Sequence, residues 1–485
     1  MLPVQSTLPF SDYSSLYDLL VPKTNLLRQI NDLVDFSFIR KELLAKYCSD
    51  NGRTAECPIR MFKYLLLKII YDLSDVDVVN HSLYDLSFKY FLGMAPEDTS
   101  LINPSSLCKF RKLRLQDNGL MNLLIEKTVS IAVEKGIIKS RTIIVDSTHT
   151  GSRSNPYSSV DVLKLRSKQL RKVIYDFDDE VKESLPEKNE DNDLSHELKY
   201  TRDLVDAVSS NAVLSNVPKI KERLNMLKEV ADDIEDHYTV SKDTDARTGH
   251  KSEDDSFFGY KTHIAMSDER IITAAIVTSG EKGDGPQLEE LVKQSRENGM
   301  EVETVVGDTA YSGKDNIILS QDEEKGFELV AQLHPVISHG FRKEEDKFEF
   351  NKDAGMFVCP AGHMAVRKAC QGKKGQGVNR TMVYFFDVDK CRNCSRRKGC
   401  YKEGANTKSY SVQIKSEEHK RQESFQNTEE FKEKARVRYK IEAKNAELKN
   451  VLGYDRATSY GMDCMRMQGA LTIFVANLKR ILKLS

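Results

Sequence analysis

Residues 304–313 read "TVVGDTAYSG", a short apolar run that stops on an acid. Val305 and Val306 have the β-branched character of a buried strand end, Gly307 loosens the backbone, and Asp308 follows at the carboxyl tip. Turn and helix residues come next. Two readings compete for Asp308. It can be a turn residue or helix N-cap, its oxygen accepting free backbone N–H groups. It can also be a metal ligand, because ligands of open α/β sheets gather where strands end. Metal chemistry on phosphates needs more than one carboxylate, so the second reading requires partners.

One partner lies upstream. "RTIIVDSTHT" (141–150) repeats the pattern, with Ile143, Ile144 and Val145 closed by Asp146. Around the two acids the chain alternates. "GYKTHIAMSD" (259–268) and "IITAAIVTSG" (271–280) read as strands. "GPQLEELVKQSREN" (285–298) is an amphipathic helix, "VETVVGD" a strand, "KDNIILSQDEEKG" a helix and "FELVAQL" (327–333) a strand. Hairpin-linked strands followed by α/β alternation predict an α/β fold, a mixed sheet with helices on its faces.

Bulk properties bound the rest. The 485 residues are too many for one core. A composition of 39% hydrophobic and 30% charged residues is that of a globular chain. No apolar run reaches the roughly 20 residues of a membrane helix. The first residues lack a signal peptide's basic and apolar regions, so the expected location is the cytoplasm, with no membrane partner. Of nine cysteines, Cys48, Cys57, Cys108 and Cys464 stand singly and read as buried small residues in a reducing compartment. Net charge is −1, but it is segregated. Acids dominate 161–236, while bases dominate 362–402 and the last eighty or so residues, a distribution that allows a polyanion footprint.

Residues 14–135 have helical periodicity, with Ser74 and Asp75 as a break and cap. A helix starting at Pro104 and Ser105 presents Lys109, Arg111, Lys112 and Arg114. These form either a solvated face or a contact with DNA backbone. Residues 160–236 are helical and highly charged, an insertion of helical-hairpin type, with 176–193 an exposed loop. Residues 427–485 read as helical throughout. Between them, Cys359, Cys391, Cys394 and Cys400 have the spacing of a zinc knuckle pair, which predicts a structural Zn²⁺. The other reading is a reduced, metal-free ribbon, and Cys370 and His363 are spare ligands.

A third acid lies in the tail. Glu442 follows Arg438 by four residues and precedes Lys449 by seven, so all three share one helix face. Alone this is an ordinary ion pair. After two strand-borne aspartates it resembles the strand-Asp, strand-Asp, helix-Glu layout of the DDE transposases of bacterial insertion sequences. Arg438, Glu442 and Lys449 match the R-(3)-E-(6)-K part of the Y-R-E-K signature. "IIVDSTHT" and "VVGDTAYSG" look like the first- and second-Asp motifs, and "SFKYFLGM…SSLCKFRK" is similar to the group's N-terminal domain. The cysteine insert is most like the subgroup with a cysteine-rich insertion before the Glu. Ala435 stands where the signature often has Tyr, although Tyr439 is near, and the chain has no Trp.

The resemblance implies an RNase H-like mixed sheet with flanking helices. It would be divided into a helical DNA-binding domain (1–138), a catalytic core (139–345, with the helical insertion at 160–240), a zinc-ribbon-like insertion (346–404) and the core's second part (405–485). It implies a magnesium-dependent endonuclease and strand transferase acting on terminal inverted repeats, as a homodimer on double-stranded DNA. Two Mg²⁺ or Mn²⁺ ions about 3.5–4 Å apart suit oxygen-rich ligands and stabilise attacking and leaving oxygens together. Asp146 would bridge both, Asp308 and Glu442 would each complete one site, and Arg438 and Lys449 would hold flanking phosphates. The alternatives are an RNase H-like nuclease or resolvase without strand transfer, and a catalytically inactive DNA-binding derivative.

Overall fold

The computed structural model describes residues 11–48, 54–116, 119–153, 158–189, 191–235, 243–250, 256–333, 348–351, 354–371, 381–413 and 417–485. The alternation around the two aspartates does form one mixed sheet. Its strands are β1 (Thr142–Gly151), β2 (Arg247–His250), β3 (Ser256–Ser267), β4 (Ile272–Ser279), β5 (Thr304–Val306) and β6 (Glu328–Val330). β1 is central. It pairs antiparallel with β3, from Ile143–Ser267 to Gly151–Gly259, and parallel with β5 over Thr142–Ile144. β6 continues the parallel half, and β4 and β2 share the far edge of β3. This is the expected RNase H-like sheet, with β2 as an additional short strand.

Side chains alternate across the sheet, so each strand feeds two cores. Ile144, Ile264, Met266 and Ile272 join the core built by the N-terminal helices and the last helix, Met462–Leu484. Ile143, Val145 and Ala265 pack on the other side with Leu288, Leu291 and Val292 of the Leu288–Glu297 helix. The last helix joins the N-terminal layer to the sheet. The Phe474 ring meets Phe62 edge-on at 6.1 Å. Asn477 accepts from Ile272 N and donates to Ile272 O and to Thr128 Oγ1, each at 2.9 Å.

Several local expectations change. The apolar run ends at Asp146 but the strand does not: β1 continues to Gly151 because β3 pairs along its whole length, whereas β5 departs opposite Ile144. The 160–236 segment is three helices, Ser159–Phe177, Leu194–Ser210 and Pro218–Glu235, around Leu170, Leu204 and Leu227. Its loop is anchored by buried Leu185. The tail is interrupted between Asn450 and Met462, where Gly453 and Gly461 take left-handed or positive φ values of 65° and 90°. None of the four single cysteines is buried: Cys48 and Cys108 are exposed, and Cys57 and Cys464 are half-buried. No described helix is long and apolar enough to cross a membrane.

Candidate active site

Where β5 leaves β1, the central strand is uncovered at Asp146. Asp308 lies two residues beyond the end of β5, on the same edge. The capping reading of Asp308 is seen directly in its geometry. Its Oδ1 accepts from Ala310 N at 2.9 Å, capping the Thr309–Tyr311 turn, while its charge reaches Asp146. Burial pushes the Asp146 carboxyl up to about 6. The charges of Asp308 and Asp284 add to this, against the Ser147 backbone N–H and Arg438.

The helix Tyr439–Asn450 covers this point. Asn445 Nδ2 donates to Asp146 Oδ2 at 3.0 Å, and Lys449 Nζ lies 3.2 Å from His149 Nε2 further along β1. The helix therefore runs beside β1 with Arg438, Glu442, Asn445 and Lys449 on the facing side. Glu442 is exposed, its Oε1 3.5 Å from Arg438 Nη2. It is one turn from Asn445, and its carboxylate is directed to Arg438.

Three side chains here had no motif to announce them. Asp284, in the turn after β4, has Oδ1 3.1 Å from Lys261 Nζ and 3.2 Å from buried His263 Nδ1. Burial works against its ionisation, but His263 and Lys261 outweigh that and hold the carboxyl below its usual range. Tyr311 is fully buried, and its hydroxyl has no hydrogen-bond partner among the described residues. Burial drives its phenol well up, and Asp284, Asp146 and Asp308 all push the same way, so the proton stays on. Asn445 is the third. Asp284 carried the one available signal, an acid soon after a strand end.

The N-terminal cations are placed differently from one another. Lys109 is exposed on the Pro104–Phe110 helix, whose N-cap is Asn103. Arg111 is bound by both oxygens of Asp75, at 2.9 and 2.5 Å, which Lys68 also meets at 2.9 Å. Arg114 donates to Lys46 O and lies over the Tyr47 ring. Two of the three are thus already engaged within the helical layer.

The cysteine segment forms a two-stranded and a three-stranded sheet, β7 (Glu349–Asn351) with β8 (Met356–Val358), and β9 (Arg367–Gln371), β10 (Thr381–Phe386) and β11 (Lys408–Gln413). Gly362, at φ 81°, turns the chain so that Cys359 N donates to His363 O at 2.8 Å. Cys394 N donates to Cys391 O at 3.3 Å, and Cys400 N to Arg397 O at 3.0 Å. Cys359, Cys391, Cys394, Cys400 and His363 line one hollow, whereas Cys370 is exposed on β9. Burial pushes the Cys391 thiol up, and its neighbours Cys359, Cys400 and Cys394 add to that. Among the described residues, no three His, Cys, Asp or Glu side chains converge closely enough to hold an ion as they stand. The thiols surround a hollow rather than a point.

A central strand with acids at its uncovered edge, in a sheet of this order, defines an RNase H-like protein. Family comparison narrows the class. Residues 230–478 match the family described as "Transposase DDE domain", and residues 15–113 match "Transposase domain (DUF772)". The first match spans just over half of the chain, which belongs to the DDE transposases of insertion-sequence type. It includes Asp308 and Glu442 and begins after β1, so Asp146 is tied to Asp308 by strand pairing and to the Glu442 helix through Asn445. Neither the curated proteins nor the solved structures returned a match.

Proposed function

We propose that this transposase cuts DNA at the terminal inverted repeats of its insertion sequence and joins the freed ends to target DNA, using Asp146, Asp308 and Glu442. The observation that carries this reading is the half-buried Asp146 carboxyl, pushed up to about 6 with the charges of Asp308 and Asp284 upon it, beneath the helix that bears Glu442. Clustered anionic oxygens are the donors that hard divalent cations take, and a cation relieves their repulsion. Bound there, Mg²⁺ or Mn²⁺ would activate the attacking water or 3′-OH and stabilise the leaving oxygen.

The chain's own residues do the rest. Asn445 and the Ser147 N–H hold Asp146, and the Ala310 N–H holds one oxygen of Asp308. Arg438 and Lys449 flank the acids on one helix face and would take the phosphates on either side of the scissile bond. Glu442 would leave Arg438 to complete the carboxylate set, freeing the guanidinium for DNA. Among Lys109, Arg111 and Arg114, exposed Lys109 is first in line for the backbone. A structural Zn²⁺ on Cys359, Cys391, Cys394 and Cys400 belongs to the same proposal, supported by the shared hollow and the turns around it. Paired ends call for two copies, so the working unit is a homodimer. Incubating the protein with labelled ends, target DNA and Mg²⁺ tests the reading. Nicked ends and joined products are expected. Nicks without joining would make it a nuclease, and neither product would refute the proposal.

A further inference from the structure

The helix that carries Glu442 touches the central acid through a different residue. Asn445 Nδ2 donates to Asp146 Oδ2 at 3.0 Å. An ionised carboxylate only accepts, so this contact orients the amide with its NH₂ toward Asp146. The other end of the amide pays for that arrangement: Asn445 Oδ1 is buried and has no hydrogen-bond partner among the described residues. A buried acceptor left unpaired costs about 1–3 kcal/mol. Asn is also a poorer helix former than Leu. A side chain kept for folding alone would be apolar at this position, or satisfied at both ends.

We infer that Asn445 is a positioning residue for Asp146. It holds one carboxylate oxygen against the Tyr439–Asn450 helix, so that the other stays turned toward Asp308 and the edge that β5 uncovers. It also couples the two halves of the site. The helix face that brings Arg438, Glu442 and Lys449 is locked to β1 by the amide that orients Asp146. The inference rests on the metal reading of the acids given above. Residues that orient a ligand without touching the ion typically change metal affinity about 10–100-fold when replaced.

The test uses the full chain with Asn445→Leu, Asn445→Ser and Asp146→Asn. Mn²⁺ binding is read by electron paramagnetic resonance without DNA, end binding is read without metal, and melting is read on the metal-free protein. Asn445→Leu is expected to melt at or above the wild-type temperature, to bind ends as wild type does, and to bind Mn²⁺ about 10–100-fold more weakly. Its cleavage should recover in part at high Mg²⁺. Wild-type Mn²⁺ affinity in both Asn445 variants, with affinity lost in Asp146→Asn, overturns this inference and leaves the site reading standing. Wild-type affinity and cleavage in Asp146→Asn would instead remove the site reading itself. Failure of both Asn445 variants to melt cooperatively would show the amide to be a folding contact, and would also overturn the inference.

Discussion

A β-carbon on Gly307 would stand 2.8 Å from Cδ2 of Tyr311 and 3.0 Å from Cγ2 of Val145. Gly307 is therefore there for closeness, not for backbone freedom. A bare backbone lets the Tyr311 ring pack beneath the turn that presents Asp308. Gly307→Ala should force the ring or the turn aside, costing about 1–3 kcal/mol as overpacking does. Urea unfolding measures that loss. Cleavage should fall further than end binding, because the displaced residue is an acid of the proposed site.

Asp308→Asn separates the two duties of that side chain. Asn caps a turn about as well as Asp, so the Ala310 N–H keeps its acceptor and melting should change little. Charge is lost, and cleavage and joining should be abolished with end binding intact. Full strand transfer by this variant would reduce Asp308 to a cap.

Asp146 gives opposite pH slopes to folding and to metal binding. Its folded value, about 6, lies above the roughly 3.9 of an unperturbed aspartate. Between those values the metal-free native chain holds more of this proton than the unfolded chain does. The group's contribution to stability is therefore present below about pH 4 and lost as pH rises through 6. Cation binding needs the ionised form, so Mn²⁺ affinity should rise with pH up to about 6 and level off above it. Titrations at pH 5 and 7.5 should differ by roughly tenfold. Metal-free Asp146→Asn should be at least as stable as wild type at pH 7.5.

Asn477 ties the last helix to β4. Asn477→Leu strips both backbone groups of Ile272, and the Thr128 hydroxyl, of a buried partner. A loss of about 3 kcal/mol is expected from groups left unpaired in the interior. The midpoint of denaturant unfolding should fall with its slope unchanged.

Protein purified without chelator should carry one Zn²⁺ per chain in elemental analysis, and Cys391→Ser should lose it. If the purified protein holds no zinc, the segment is a metal-free ribbon stabilised by its own apolar cluster of Tyr384, Phe386 and Ala365.

Sequence patterning revealed what depends on local chemistry. Val305, Val306, Ile143 and Ile144 sit in buried strands because β-branched runs have few other places to go. Asp146 and Asp308 were visible as acids closing those runs. The end of β1 was not, because a strand stops where its partner stops, and β3 lies a hundred residues away in the chain. Asn445 was invisible for a related reason. An Asn in a helix is unremarked until the strand opposite is known to carry an acid. Asp284 and Tyr311 reach the site through a turn and a buried ring whose directions only packing decides. The engagement of Arg111 by Asp75 likewise required two helices to be seen side by side.

The helix Met462–Leu484 is also the last described element to leave the ribosome. Until it docks, Phe62 in the N-terminal layer and Ile272 at the sheet edge lack the partners they have in the finished fold. The acids of the proposed site, spread from Asp146 to Glu442, can likewise come together only once residue 442 has been made. A polypeptide stalled or truncated before residue 462 lacks the element that closes the sheet carrying the proposed cutting centre.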